Sequence, residues 1–217
     1  MAYDLEEQEQ LAAFKAFWNQ YGNLLTWVLI IALGSYVGYT YWKYYEREQS
    51  SQASGLYTEL LKYADAKDGA KTQRMATEIQ AKYGRSAYAQ MSALTAARVA
   101  FDANDLKGAK ANLQWVQEHG TPEYQSVAKL RLVSVMIDEK AYDEGLKLLA
   151  TPFLAQFAGD VADRKGDILV AQNKLADART AYLAALAAID KNAPARQLIV
   201  LKLEAIGGSA PVVKAAA

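Results

Sequence analysis

The sequence predicts an all-α protein in which a single N-terminal transmembrane helix is followed by an α-solenoid of stacked helix pairs. Three observations predict this class. One uncharged run lies between Lys15 and Lys43. After it, no alternating pattern bounded by turn residues indicates a strand, and small residues recur about every 34 residues from Ser86 onward. The expected divisions are an N-terminal amphipathic segment, the span, a stalk with a helical hairpin, the repeats and a flexible tail: 1–23, 24–42, 43–85, 86–206 and 207–217.

Composition limits the classes of function. The 217 residues leave room for one domain of ordinary size after the span. The 24 basic and 24 acidic residues balance, which gives no reason to expect a nucleic acid partner. The absence of cysteine excludes disulfides and thiolate chemistry, and it is compatible with an oxidising compartment.

The uncharged run Leu24–Trp42 has the length of a membrane-spanning helix, which needs roughly 20 apolar residues. Trp27 lies near one end and Tyr39 near the other, where amphipathic rings prefer to lie. A core helix rarely lacks a polar face for so long. The preceding residues are acidic and no A-x-A-like site follows, so we expect a retained anchor and not a cleaved signal peptide.

The segment before the span predicts a short amphipathic helix. Asp4 and Glu7 form a capping box that begins it. An apolar face, which would lie in the membrane interface or dock on a protein, comprises Leu11, Phe14, Trp18 and Tyr21. We expect Gly22-Asn23 to break this helix before the span.

Gly34 and Gly38 form a GxxxG pair inside the span. Their missing side chains would let another helix approach closely, so we predict helix packing in the membrane at this face. Because glycine is common in membrane helices, a chance occurrence is equally compatible with the pattern.

Beyond Trp42 the helix is expected to continue and then to bend near Ser50–Gly55. An apolar stripe runs on to Ala66, and a second helix is expected over about 71–82, ending at Gly84. Together these segments predict a helical hairpin.

The repeats are recognised by Ala109, Gly145 and Ala178, which are spaced by 36 and 33 residues. Short polar turns and junction prolines then divide the chain between them. The expected helix pairs are 87–103 with 106–118, 123–138 with 142–150, and 155–172 with 175–189.

The last pair resembles a tetratricopeptide repeat. Gly166, Ala178, Tyr182 and Ala185 have the spacing of its small, small, aromatic and small positions. The first pair has Leu113 where an aromatic residue is usual, and the middle pair departs further. Two helices between 53 and 83 would form a degenerate leading unit.

The whole chain resembles the YfgM-like ancillary subunits of the bacterial Sec translocon. The resemblance lies in the block Tyr3–Gln10, in Tyr21-Gly22-Asn23 before one uncharged span, and in the repeat domain that extends to about Gly207. It implies a bacterial inner-membrane protein with a cytoplasmic N-terminus and a periplasmic repeat domain. The implied partners are Sec translocon subunits, membrane lipid and a membrane-anchored periplasmic chaperone of the prolyl-isomerase type.

The distribution of basic residues opposes this topology. Lys43, Arg47 and Lys62 follow the span, whereas only Lys15 precedes it, so the positive-inside rule places the repeats in the cytoplasm. We expect the family's topology, because the acidic N-terminal block is itself part of the family's pattern and large domains cross regardless of charge.

No residue set predicts an enzyme, a cofactor or a metal. His119 is the only histidine and lies at an expected helix end, where a partly charged imidazole interacts favourably with the helix dipole. A zinc site would need three or four imidazole or thiolate ligands. Carboxylate pairs such as Asp160 and Asp163 have the spacing of a solvated helix face.

The predicted site is a groove for a peptide or partner, formed by the first helices of successive repeats. The tetratricopeptide register implies an apolar part followed by an acidic part at Asp163 and Asp167. Arg98 would fix a carboxylate or a carbonyl. Alternatively, the same apolar residues bury the 53–83 hairpin or the neighbouring repeat. The set also lacks the basic residues of a carboxylate clamp, which argues against free acidic C-terminal tails. The groove residues are Met91, Leu94, Arg98, Phe101, Val127, Leu130, Ser134 and Ile137.

The expected function is therefore that of a non-enzymatic scaffold beside the translocon, which joins a periplasmic chaperone to newly exported proteins. Two alternatives are a holdase that binds unfolded exported proteins in the groove, and an adaptor that faces the cytoplasm.

Overall fold

The computed structural model describes residues 2–209, with side-chain environments from Glu7 onward. The described residues contain helices and connecting turns and no strand, which confirms the all-α prediction. The elements are α1 (Ala2–Asp65), α2 (Gly69–Tyr83), α3 (Ala87–Asp102), α4 (Leu106–His119), α5 (Pro122–Asp138), α6 (Tyr142–Leu149), a 3-10 turn (Ala155–Phe157), α7 (Ala158–Ala171), α8 (Leu175–Ala188) and α9 (Ala195–Ala205).

The chain divides into two compact units, residues 1–51 and 52–217. The described part of the first unit is entirely helical and belongs to α1. Its large apolar side chains, such as Leu25 and Ile31, are 41% and 64% exposed. Among the described residues, α1 alone is long and apolar enough to cross a membrane, with a mean hydropathy of 1.5 over its most apolar 18-residue window.

The predicted break at Gly22-Asn23 is wrong, because α1 continues through both residues. Gly22 is buried beneath the Trp18 side chain, and the Gly22 carbonyl accepts a hydrogen bond from Thr26 Oγ1 at 2.7 Å. A glycine inside a helix costs only about 1 kcal/mol relative to alanine. Neither residue is a proline, so nothing here removes a backbone donor.

The helix is also uninterrupted at Ser50–Gly55, where a bend was expected. Ala53 and Leu60 are fully buried, and Leu60 packs with Ile79 of α2 and Ala89 of α3. Burial of this face stabilises the helical conformation on either side of Gly55. The end of α1 and α2 thus form the expected leading hairpin.

The same type of turn connects the two helices of each pair. In the described part of the chain, four residues other than glycine adopt a positive φ of 55–60°: Lys67, Asn104, Lys140 and Asn173. The residue after each donates a backbone hydrogen bond to the carbonyl five positions earlier, at 2.8–2.9 Å. This is the Schellman arrangement, which satisfies carbonyls at a helix end. The leading hairpin shares it with the three predicted repeats.

Small residues let the paired helices approach closely. Ala97 and Ala109 lie in one buried cluster with Leu113 and Leu132. In the last pair, Tyr182 and Ala178 pack with residues of α9, a helix whose bounds the sequence analysis did not predict. The pairs observed at α3–α4, α5–α6 and α7–α8 agree with the predicted ones to within a few residues, apart from the separate 3-10 turn before α7.

Candidate partner-binding groove

Two adjoining pockets lie along the first helices of three successive pairs. One, of about 280 Å³, is lined by the end of α1, by α3 and by Arg131 of α5. The other, of about 290 Å³, is lined by α3 and α5 and by Ala109 and Leu113 of α4. Arg98 and Arg131 line both pockets. We call the two pockets together the arginine groove.

The structure brings together five of the eight predicted groove residues. The first pocket is lined by Met91, Leu94 and Arg98, and the second by Arg98, Phe101 and Ser134. These side chains stand on the same helix faces that the repeat register predicted.

The remaining three predicted residues line neither pocket. Val127 packs against the cluster formed by α3, α4 and α5. Leu130 and Ile137 pack against Val133 and Ile168, because α6 and α7 cover this face of α5. These contacts agree with the alternative interpretation, in which the apolar residues are buried against the neighbouring repeat.

The leading hairpin covers part of the predicted surface. Leu94 is only 8% exposed. The Tyr57 hydroxyl lies 3.3 Å from Thr95 Oγ1, and the Tyr57 ring lies 5.8 Å from that of Tyr88. The hairpin therefore forms one wall of the groove.

Arg131 is the groove residue that sequence reasoning missed. Its Nη1 donates to the Leu94 carbonyl at 3.3 Å. Partial desolvation of the Arg131 guanidinium by the side chains packed around it, and then the charge of Arg98, lower the pKa of Arg131 below its usual value. The spacing of 36 residues between the first two pairs places Ser134 at the position of Arg98, so no repeat signal in the sequence singled out Arg131.

The predicted acidic part of the groove is occupied by a lysine from α9. Lys202 Nζ lies 2.8 Å from Asp163 Oδ1 and 2.8 Å from Asp167 Oδ1. Asp167 also accepts from the Tyr182 hydroxyl at 2.8 Å and from Arg164 at 2.9 Å. Burial raises the pKa of Asp163, which is 9% exposed. The two predicted acidic residues are therefore paired within the chain, Asp163 with Lys202 and Asp167 with both Lys202 and Arg164.

The other residues singled out from the sequence are explained by local structure. His119 ends α4, with Nδ1 3.0 Å from the Trp115 carbonyl and its ring stacked on Trp115 at 4.8 Å. Among the described residues no group of three or more His, Cys, Asp or Glu could hold a metal ion. A Cβ on Gly34 or Gly38 would meet no atom within 4 Å, so helix packing at this face stays a prediction.

The fold is that of a helical-repeat protein with an apolar N-terminal helix and a groove along its first helices. A family model described as a tetratricopeptide repeat-like domain matches residues 15–208. The chain belongs to the tetratricopeptide repeat-like family of ancillary SecYEG translocon subunits. No solved structure was found to match it.

Relatives that match this chain are named ancillary SecYEG translocon subunits, among them those of three bacterial species. That of Neisseria gonorrhoeae is 32% identical over 208 residues, which are 95% of this chain and 100% of the relative. The relative from Haemophilus influenzae is 29% identical over 82% of this chain and 91% of its own length. The relative from Escherichia coli is 28% identical over 81% of this chain and 85% of its own length. The predicted repeat class and family are confirmed.

Proposed function

We propose that this chain is a non-enzymatic scaffold, anchored in the bacterial inner membrane and associated with the Sec translocon. The observation that carries this proposal is the similarity over the full length of the Neisseria relative, which is named an ancillary SecYEG translocon subunit. The groove on the repeat domain supports a function in which one chain holds another.

The scaffold joins a membrane-anchored periplasmic chaperone of the prolyl-isomerase type to newly exported proteins. The apolar part of α1 serves as the anchor in lipid, and the face with Gly34 and Gly38 packs against helices of the translocon. The repeat domain holds the chaperone in the arginine groove.

Photocrosslinking in the membrane tests the association. A photoreactive residue at Gly34 is expected to give adducts with translocon subunits, because a Cβ there would meet no other side chain of the described residues within 4 Å, its two chain neighbours apart. A photoreactive residue at Phe101, in the groove, is expected to give adducts with the chaperone. Recovery of self-adducts alone from both positions would contradict the scaffold.

The proposed orientation places the N-terminus in the cytoplasm and the repeats in the periplasm. Because the sequence contains no cysteine, a single introduced cysteine is the only thiol. In intact spheroplasts, a membrane-impermeant maleimide is expected to label Asp177→Cys, on an exposed position of α8, and to spare Gln8→Cys. Labelling of Gln8→Cys alone would favour the cytoplasm-facing adaptor.

A holdase is the second candidate, and the apolar walls of the two pockets favour it. Phe101→Ser is expected to abolish protection of an unfolded client if the chain is a holdase, while copurification with the translocon is retained. Leu130→Asp is unsuitable for this test, since Leu130 packs against the buried cluster with Val133. Circular dichroism of Phe101→Ser checks that the helices remain intact.

A further inference from the structure

Two guanidinium groups share the arginine groove, and no described residue of the chain supplies a counter-ion to them. Arg98 and Arg131 line both pockets, and both side chains remain exposed to an incoming group. Among the described residues, no carboxylate oxygen lies within 4 Å of either guanidinium. Arg164, one pair further along, is instead paired with Asp167 at 2.9 Å.

The charges at this position disfavour each other. Nearby side chains exclude water from the Arg131 guanidinium, and the positive charge of Arg98 repels it. Both effects lower the pKa of Arg131. An anion between the two groups would offset both effects. Each arginine presents a planar fork of N–H donors that matches a carboxylate, and Arg131 uses Nη1 for the Leu94 carbonyl.

The walls on both sides of the arginines are apolar. Phe101 and Leu113 line the pocket between α3 and α5, and Leu61 and Met91 line the other. A ligand that fits this arrangement carries a negative charge with an apolar group beside it. Asp65, at the end of α1, lines the groove without forming an ion pair with either arginine.

We propose that the arginine groove binds a peptide segment in which a glutamate or aspartate side chain stands beside a large apolar residue. The carboxylate bridges Arg98 and Arg131, and the apolar side chain enters the pocket beside Phe101. This inference rests on the proposed function, since such a segment belongs to the partner that the scaffold holds. A peptide fits better than a lipid headgroup, because apolar walls flank the charged centre on both sides.

Peptide binding to the full-length chain in maltoside micelles tests the proposal. The probe is fluorescent acetyl-Gly-Leu-Glu-Phe-Gly-amide, and its control has glutamine in place of glutamate. Hydrogen bonds to charged groups contribute enough that we expect the glutamate peptide to bind roughly tenfold tighter or more. Arg98→Ala and Arg131→Ala are each expected to remove this preference.

Two further variants sharpen the test. Asp65→Asn removes the acid at the groove and is expected to tighten binding of the glutamate peptide. Arg74→Ala removes the same charge from an exposed position of α2 that lines neither pocket, and it is expected to leave the preference unchanged. Circular dichroism confirms that each variant is folded.

Equal affinity for the two peptides, or no binding of either by the folded chain, would overturn the proposal. So would an equal loss of preference in Arg74→Ala. Displacement experiments with short-chain phosphatidylglycerol test whether the groove binds a lipid instead of a peptide. If that lipid binds and depends on Arg98 and Arg131 while the glutamate peptide does not, the groove is a lipid site and the peptide proposal fails.

The outcome is distinguishable from that of the proposed function. Translocon adducts from Gly34 without any glutamate preference would remove this inference and leave the scaffold in place. A glutamate preference without translocon adducts would contradict the translocon scaffold and leave the peptide specificity of the groove in place.

Discussion

Gly166 and Tyr182 are matched at the crossing of α7 and α8. A Cβ on residue 166 would overlap the Tyr182 ring. That ring is 2% exposed, and its hydroxyl donates to Asp167 at 2.8 Å. The aromatic side chain occupies the space that the glycine leaves, so neither residue can change size alone.

Gly166→Ala is expected to destabilise the repeat domain by about 1–3 kcal/mol, because the added methyl group must displace a packed and hydrogen-bonded ring. Urea unfolding followed by circular dichroism measures the change. Gly55→Ala is the matched control. A Cβ there meets nothing within 4 Å, and alanine is expected to raise stability by up to about 1 kcal/mol through helix propensity. A Gly166→Ala variant as stable as the parent chain would contradict this account.

Lys202 is the cation that two largely buried carboxylates share. The side chains of Lys202, Asp163 and Asp167 are 22%, 13% and 17% exposed. Burial raises the pKa of Asp163, and the hydrogen bond from Lys202 opposes that rise. An acid whose pKa is raised on folding lowers stability at pH values above that pKa, and acidification relieves the cost.

Lys202→Met is therefore expected to lower the free energy of unfolding by about 3 kcal/mol near neutral pH, since removal of one partner leaves buried charge uncompensated. The pKa of Asp163 rises further in this variant. The deficit relative to the parent chain should then shrink as the pH falls from neutrality towards about 4. Urea unfolding at a series of pH values measures it.

Lys71→Met provides the control for Lys202→Met. Lys71 pairs with Asp68 at 2.9 Å, but its side chain is 62% exposed, so the pair is screened by water and no measurable loss is expected. A deficit in Lys202→Met that stays constant or grows on acidification would contradict the assignment of the loss to uncompensated carboxylate charge.

The chemistry of the groove could be predicted from the sequence only in part. Arg98 stands on the groove face of α3 by helical register alone. Arg131 lies between two leucines of α5, and only the packing of α5 against α3 brings it to the same pocket. Lys202 comes from a helix whose bounds no repeat spacing predicted. The positions of Arg131 and Lys202 both depend on contacts between segments that are distant in the sequence.

At the scale of single elements, α1 is the helix for which local signals misled. Gly22-Asn23 resembles a helix end, yet α1 is continuous because a glycine without a following proline weakens a helix only slightly. By contrast, the short polar turns between paired helices were predicted correctly, since Asn104 and Asn173 tolerate a positive φ. The local sequence thus predicts a turn between two helices more reliably than it predicts a break within one helix.

A distance measurement tests the continuity of α1. Spin labels on Lys15→Cys and Lys43→Cys in the otherwise cysteine-free chain are expected to lie about 42 Å apart, the rise of 28 residues at about 1.5 Å each. Pulsed electron paramagnetic resonance in lipid nanodiscs provides the distance. A broken helix whose first segment lies along the membrane surface would give a much shorter one.

At the scale of the whole molecule, α9 ends the repeat array. Ile199 and Leu203 are buried against Tyr182 and Leu186, and Arg196 Nη1 donates to the Leu186 carbonyl at 2.7 Å. Solenoids need such terminal helices because each pair leaves one apolar face open. The repeat spacing predicted the number of pairs, whereas the end of the array follows no period and could not be predicted from it.

Truncation after Ala193 is expected to expose the face of α8 and to leave Asp163 without its lysine. Limited proteolysis should then cleave α7 and α8 rapidly while α2 to α5 stay protected, because stability in repeat proteins is carried by neighbouring pairs. Truncation after Ser209 retains α9 and serves as the control. Equal protease resistance of the two truncated chains would show that α9 is dispensable.

The shared Schellman turns bear on how such chains change in length. The segment 104–139 begins at one left-handed residue and ends just before the next, so its deletion would join Ala103 to Lys140 at an equivalent backbone position. A duplication of the same segment would likewise create a junction that already exists in the molecule. Gene rearrangement can therefore add or remove a whole pair without requiring a new loop conformation, and binding surfaces of different reach can arise in single steps.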